Sequence, residues 1–287
     1  MRYLYLHGFA SGPTSEKAAF LRKRFAEHNL FLETPNLAPG DFSKLTLTSK
    51  LAELARTLKA PPTRETISPT KPLRPQTQSI PTNNARSQRT IAAMPPPIAT
   101  SADKTNPPLP TAIPKNTSPQ AANNERRPPA AASRSSGTLV LLGSSLGGYV
   151  ATLYAHQHPD QVRQLILLAP AFAFPTRWLQ NQPAEAVAAW RNSGFHTVYH
   201  HGQQQDTQIG YQLVTDAQQY PDYPIIPPKI PILIIHGKND ETVPIASSHH
   251  FLKINPHAAL IELEADHRLT NPADLEAIWH QIIPLLQ

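Results

Sequence analysis

The sequence contains no cysteine, which excludes disulfides, thiolate zinc sites, iron–sulfur clusters and cysteine nucleophiles together. It lacks any apolar stretch approaching the roughly 18 residues that span a bilayer. The opening MRYLYLHGF has no apolar run of about 7–15 residues of the kind that marks a secretory leader. A soluble, cytoplasmic protein without membrane contact is the expectation. Glycine is scarce, at 11 of 287 residues, whereas proline reaches 32 and histidine 13. At roughly 100–200 residues per domain, the length allows one large domain or two small ones.

Residues 60–136 contain no Phe, Tyr, Trp or Gly, yet they hold 16 of the 32 prolines. They also carry 10 Lys/Arg against only Glu65, Asp103 and Glu125, a balance of +7. The other 210 residues hold 16 basic and 17 acidic side chains, so the overall +6 belongs to this segment and not to a folded basic face. A nucleic-acid partner is therefore not expected. The aliphatic residues here (Ile67, Leu73, Ile80, Ile91, Met94, Ile98, Leu109, Ile113) follow neither helical nor strand periodicity. Such a stretch buries too little apolar surface to offset its ordering entropy and reads as a disordered insertion with polyproline-II character. Closing it costs the flanking fold about 2–3 kcal/mol more than a tight turn. Pro69–Arg74 fits a PxxPx+ docking pattern, but a tract rich in Pro and Arg produces such matches readily. A solvated insertion is the first reading and a docking arm the alternative.

With the segment set aside, short apolar runs alternate with helical patterns. RYLYL at Arg2–Leu6 reads as a buried strand that ends at His7-Gly8. A helix follows from Pro13, with Ala18, Leu21, Phe25 and His28 on one face. Leu30–Glu33 is a second short strand, and Thr46–Leu58 a helix with Leu47, Leu51, Leu54 and Leu58 on one stripe. Thr138–Leu142 resumes with a strand, then a glycine-rich turn and an amphipathic helix carrying Val150, Leu153 and Tyr154. Strands are expected at Val162–Leu168, Ile232–Ile235 and Ala258–Leu263. Asn271 and Pro272 read as N-cap and first turn of a last helix that buries Leu275, Ile278, Trp279, Ile282 and Leu286. This order implies an α/β fold: a mainly parallel sheet with helices on both faces and ligands beyond the carboxyl ends of the strands. A helix-to-strand link lies on the opposite rim, so the insertion should hang away from the site.

Gly143-Ser144-Ser145-Leu146-Gly147-Gly148 holds a G-x-S-x-G pattern between strand and helix. On such an elbow the glycines let strand and helix pack closely and the serine hydroxyl stands above the rim. The helix N-terminus aims its N–H groups at the same spot. Ser144 is the competing hydroxyl, without the symmetric glycine spacing. A serine nucleophile needs a base and an orienting acid, in the chain order Ser, Asp or Glu, His. Asp240, in the loop after ILII, and His267, after the last strand, complete that order. Glu241 is the fallback acid, and turn capping, which Asn239 would also serve, is the bland reading of Asp240. The bend His7-Gly8-Phe9 can aim the Phe9 N–H at an oxyanion beside that of Leu146. His7, Gly8, Gly143 and Gly147 are supporting residues. The H-x3-HH spacing of His196, His200 and His201 could suggest a metal, but the stretch has no strong helical pattern and only Asp206 as a nearby carboxylate, so no metal site is expected. No P-loop, dinucleotide fingerprint or EF-hand is present.

These motifs carry a resemblance. YLHGFASGPTSEKA, LLGSSLGGYVA, IIHGKNDETVP and EADHRL are similar in kind and order to the α/β-hydrolase superfamily, and within it to the small YqiA/YcfP-like esterases. The resemblance covers nearly all of residues 1–59 and 137–287 and departs from it over 60–136. It implies the α/β-hydrolase fold, Ser145 as nucleophile, Asp240 as acid, His267 as base and an oxyanion hole of the Phe9 and Leu146 backbones. Residues 171–229, rich in aromatics (Trp178, Trp190, Phe195, Tyr199, Tyr211, Tyr220, Tyr223), fall where such folds carry a small cap over the pocket. The expected function is hydrolysis of a small to medium carboxylic ester through an acyl-enzyme, with no cofactor. A thioesterase or acyltransferase would use the same residues. A non-catalytic binding module, docking a partner through the cavity and the basic arm, is the reading from another class.

Overall fold

The computed structural model describes residues 1–62 and 137–286. The expected disordered insertion thus lies, from residue 63 onward, outside the described residues, as does the Pro69–Arg74 pattern. In chain order the elements are β1 (Arg2–Leu6), α1 (Glu16–Glu27), β2 (Leu32–Glu33), a 3-10 turn at Phe42–Lys44, and α2 (Leu47–Lys59). Then come β3 (Leu139–Ser144), α3 (Leu146–Gln157), β4 (Val162–Leu168), α4 (Phe174–Gln180), α5 (Ala184–Ser193), β5 (Phe195–His200), β6 (Gln205–Gly210) and α6 (Gln212–Ala217). The chain closes with β7 (Ile232–Gly237), α7 (Ala246–Ile254), β8 (Ala259–Leu263) and α8 (Pro272–Ile282).

The main sheet has the order β2-β1-β3-β4-β7-β8 with every pairing parallel. Its strands are continuous apolar runs because both faces are covered. Along β1, Leu4 and Leu6 join one core while Tyr3 and Tyr5 join the other; β3 and β4 divide their side chains in the same alternation. The first core is closed by α2, α3 and α7 through Leu47, Leu51, Leu54, Leu153 and Phe251. The second is closed by α1 and α8 through Leu21, Phe25, Ile278 and Trp279, with Phe25 and Trp279 rings 5.8 Å apart.

Three local expectations need correction. α1 starts at Glu16, not Pro13, because Pro13 sits inside a turn closed by the Ser15 N–H on the Gly12 carbonyl (3.1 Å). α3 is not amphipathic: every residue from Leu146 to Ala155 is buried, since the helix is packed against the sheet and also lies beneath other elements. Asn271 occupies the N-cap position of α8, but its side chain makes no cap bond and its amide turns to Asp274 (3.1 Å).

Arg2 ties the amino edge together. Its guanidinium pairs with Glu33 (2.6 Å) and donates to the carbonyls of Thr57, Leu58 and Ala60 at the end of α2. The Arg2 N–H donates to Thr138. Ala60 and Thr138 thus lie on the rim opposite the end of β3, separated from it by six strand residues, roughly 20 Å.

Residues 171–229 build a separate layer of α4, α5, α6 and the antiparallel hairpin β5–β6. Its core gathers Trp178, Trp190, Ile209, Leu213 and Val214 with Ala10, Phe42 and Leu45 from the β1 and β2 side.

Candidate active site

Ser145 sits between β3 and α3 with φ 54° and ψ −121°, a conformation costing about 1–3 kcal/mol for a residue with a Cβ. Four backbone bonds hold it there. Its N–H donates to Leu168 at the end of β4 (2.9 Å), and its carbonyl accepts from the N–H groups of Gly148 (2.9 Å), Tyr149 (3.2 Å) and Ala171 (3.0 Å). The flanking glycines have steric reasons. A Cβ on Gly143 would stand 2.5 Å from the Gly147 carbonyl, and one on Gly147 would stand 2.1 Å from the Leu6 carbonyl. Gly8 is pressed less tightly, its absent Cβ 3.3 Å from that of Ser145. Ser144, the competing hydroxyl, is the buried last residue of β3, whereas Ser145 is half-buried and reaches solvent.

Asp240 follows β7 and divides its two oxygens between separate tasks. Oδ1 accepts the N–H groups of Thr242 (2.9 Å) and Val243 (2.7 Å), which builds the turn. Oδ2 faces His267 Nδ1 (2.7 Å) and His236 Nε2 (3.1 Å). Turn capping and a side-chain partnership are therefore simultaneous here. Burial alone would raise this carboxyl, but hydrogen bonds from His236, His267 and the Val243 N–H overcome it and bring it down to about 2. Glu241, the fallback acid, is exposed and outside this set.

His236 falls at the end of the ILII strand, on the expected rim, but its place in the sequence assigns it no role, because thirteen histidines blur any one of them. It is fully buried. Its Nε2 faces two acceptors, Asp240 and the Val243 carbonyl (2.8 Å), so Nε2 carries the proton and Nδ1 accepts from the Ser248 hydroxyl (2.7 Å). The ring thereby fixes the carboxylate orientation.

His267 lies in the loop after β8. Asp266 Oδ1 accepts from the N–H groups of Arg268 (2.9 Å) and Leu269 (3.2 Å), and Leu269 takes a φ of 50°. The Asn239 N–H bonds Ala265 (3.1 Å), joining this loop to the Asp240 loop. Lys17 of α1 donates from Nζ to the Arg268 carbonyl, and its charge meets Asp266 and Asp240. With Nδ1–H on Asp240, His267 presents a bare Nε2 to the Ser145 hydroxyl at 3.0 Å. The His267 side chain is 21% exposed and that of Asp240 fully covered.

His7 closes the opposite side. Its Nε2 accepts from the Leu37 N–H (3.1 Å), so the proton sits on Nδ1, toward the Gly8 carbonyl (3.0 Å). Burial, reinforced by the charge of Lys50, pushes His7 down to about 4 and keeps it neutral. Lys50 is itself buried on α2, and burial brings its ammonium down to about 8. Among the described residues, neither the Phe9 nor the Leu146 N–H donates to a protein acceptor.

The cap covers this rim with aromatic rings. Phe9 packs against Phe42 (5.5 Å), Phe174 (5.9 Å) and Trp178 (5.5 Å). Phe195 and Tyr199 do not join them; they are 47% and 42% exposed, on the outer face of the hairpin. His196 lies against Trp190, His200 against Phe42 and His201 beside Tyr199.

A six-stranded parallel sheet covered on both faces, a serine on a positive-φ elbow after β3 and a helical cap define the α/β-hydrolase fold. Solved structures agree. Alpha/beta hydrolase domain-containing protein 10 from mouse is 16% identical, with a TM-score of 0.60 over 99% of this chain and 88% of that one. Est1E from Butyrivibrio proteoclasticus, with ferulic acid bound, is 15% identical, with a TM-score of 0.57 over 99% and 87%. The chain belongs to the uncharacterised protein family UPF0227, whose model matches residues 2–62 and 102–286. Among curated proteins, the (lyso)-N-acylphosphatidylethanolamine lipase of Homo sapiens is 43% identical over 53 residues, 18% of this chain and 15% of that protein. The chain therefore spans a small part of that relative's length. No helix among the described residues is long and apolar enough to cross a membrane.

Proposed function

We propose that the protein is a serine hydrolase cleaving small to medium carboxylic esters through an acyl-enzyme. The observation that carries this reading is the continuous chain from Ser145 Oγ to His267 Nε2 (3.0 Å) and from His267 Nδ1 to Asp240 Oδ2 (2.7 Å). In it His267 takes the Ser145 proton as Oγ attacks the acyl carbon, and Asp240 stabilises the imidazolium without taking the proton itself. The N–H groups of Phe9 and Leu146 hold the oxyanion, helped by the positive end of α3. The tetrahedral intermediate collapses as His267 returns the proton to the leaving alcohol. Water, deprotonated by the same imidazole, then releases the acid and frees the serine. Nothing in this sequence of steps calls for a metal or organic cofactor. His7, Gly8, Gly143 and Gly147 shape the turn and the elbow.

Labelling with a fluorophosphonate probe, followed by mass spectrometry of the modified peptide, is the direct test. The expected result is one adduct on Ser145, lost in Ser145→Ala and His267→Ala. A well-folded protein that takes no adduct would leave the binding-module reading standing. Offering water, thiol and alcohol acceptors together to the acyl-enzyme separates an esterase from an acyltransferase, and paired ester and thioester substrates separate esterase from thioesterase.

A further inference from the structure

The cap helix α4 lies over the turn that carries the Phe9 N–H, through Phe174 and Trp178 on the Phe9 ring. On the same helix, one residue before Trp178, Arg177 is half-buried. Arg2, Arg24 and Arg56 each have a carboxylate partner, whereas among the described residues Arg163 on β4 and Arg268 beside His267 lack one, as does the arginine of α4. The Arg177 guanidinium has none, and among the described residues it has no hydrogen-bond acceptor. Its charge is felt at Tyr223 and at Asp240. Tyr223 in turn meets Asp222, whose carboxylate accepts from the Thr176 hydroxyl (3.2 Å). Asp240 cannot serve as the missing counter-ion, because both its oxygens are committed to His236, His267 and two backbone N–H groups. Lys17 brings a second cation toward the same carboxylate from α1.

Partly desolvating a guanidinium without a partner is unfavourable. An anion arriving with the substrate would remove the penalty, and the planar fork of Arg suits the paired oxygens of a carboxylate or phosphate. We propose that Arg177 is a specificity-determining residue that pairs with an anionic group on the substrate, so that the esters cleaved here carry a carboxylate or phosphate near the scissile bond. This inference rests on the hydrolase reading above.

The test uses two matched pairs with the full-length protein. One pair is a 4-nitrophenyl hemiglutarate and its methyl-capped neutral isostere. The other is the butyryl ester of 2-hydroxyethyl phosphate and its neutral dimethyl phosphate triester. The expected result is a kcat/KM ratio, charged over neutral, of about tenfold or more for one pair at low salt. That ratio should shrink as ionic strength rises, collapse in Arg177→Met and survive in part in Arg177→Lys. The pair that shows the preference identifies whether the acyl or the alcohol side bears the anion. Ratios near one for both pairs, from protein that a fluorophosphonate does label at Ser145, overturn the proposal alone. So does a ratio that Arg177→Met leaves intact. Absence of labelling overturns the hydrolase reading and the proposal with it.

Discussion

The sheet rim around Ser145 and the cap above it are held by different means. At the rim nearly every polar atom has a fixed partner: both oxygens of Asp240, both nitrogens of His236 and both nitrogens of His7 are bonded. Backbone approaches are so close that Gly143 and Gly147 have no room for a methyl group. In the cap, aromatic rings supply the cohesion, with Trp178 and Trp190 only 4.9 Å apart. Arg177 is left unpaired and the space beside Gly194 is open. The difference teaches where tolerance lies. A rim whose side-chain atoms are mostly committed keeps its groups in register, while a cap held by rings can change its lining without disturbing them.

Asp240→Asn is the severest way to break this contrast. If the amide oxygen keeps the Thr242 and Val243 bonds, its NH2 faces the N–H groups of His236 and His267, donor against donor. His267 must then flip tautomer, and ester hydrolysis should fall on the order of 10³–10⁴-fold, measured as kcat. Stability reports the same bond differently. The folded-state pKa is depressed, so the carboxylate stabilises the fold above its ordinary range near 4, and that advantage disappears as pH falls toward 2. Denaturant titrations should show wild type ahead of Asp240→Asn by about 2 kcal/mol at pH 7 and level with it near pH 2.

Gly147→Ala comes next. With its Cβ only 2.1 Å from the Leu6 carbonyl, strand and helix must part, at about 3 kcal/mol or more; urea unfolding checks this. Retention of wild-type stability would show that the elbow is looser than its contacts. His7 gives a smaller, pH-gated effect. Its folded pKa lies below its unfolded one, so its contribution is full above about pH 6.5 and lost as pH falls toward 4. His7→Gln should flatten the stability curve across that window. The least effect is expected in the cap, where Gly194 ends α5 at φ 80° with nothing near its Cβ position. Gly194→Ala should cost about 1 kcal/mol from backbone strain alone and leave fluorophosphonate labelling rates unaltered.

The same contrast governs what could be read without coordinates. β1, β3, β4 and β7 are apolar on both faces, so their runs stand out in the chain and Val162–Leu168 matches residue for residue. The residues that follow β1, β3, β7 and the last strand β8, namely His7, Ser145, Asp240 and His267, could be placed on one rim by topology alone. The cap resisted. FHTVYH and QDTQIG alternate too weakly to announce a hairpin, because only His200, Ile209 and Gly210 in them are buried. α7 went unread as well, with Ser247, Ser248 and Phe251 as its whole buried face. Lys17 and Arg177 carry no local mark at all. Their significance depends on which carboxylate each approaches across the fold, and no spacing along the chain encodes that.

Arg2 holds the end of α2 at the amino edge, on the same rim as the start of β3. The elements up to α2 and those from β3 onward carry complementary equipment. Residues 1–62 supply β1, β2 and the Phe9 turn; residues 137–286 supply Ser145, Asp240 and His267. Neither piece alone would contain both the proposed nucleophile and a complete oxyanion hole. Expressed as separate chains, the two could regain activity only by re-pairing β1 between β2 and β3, and turnover would then serve as a gauge of assembly.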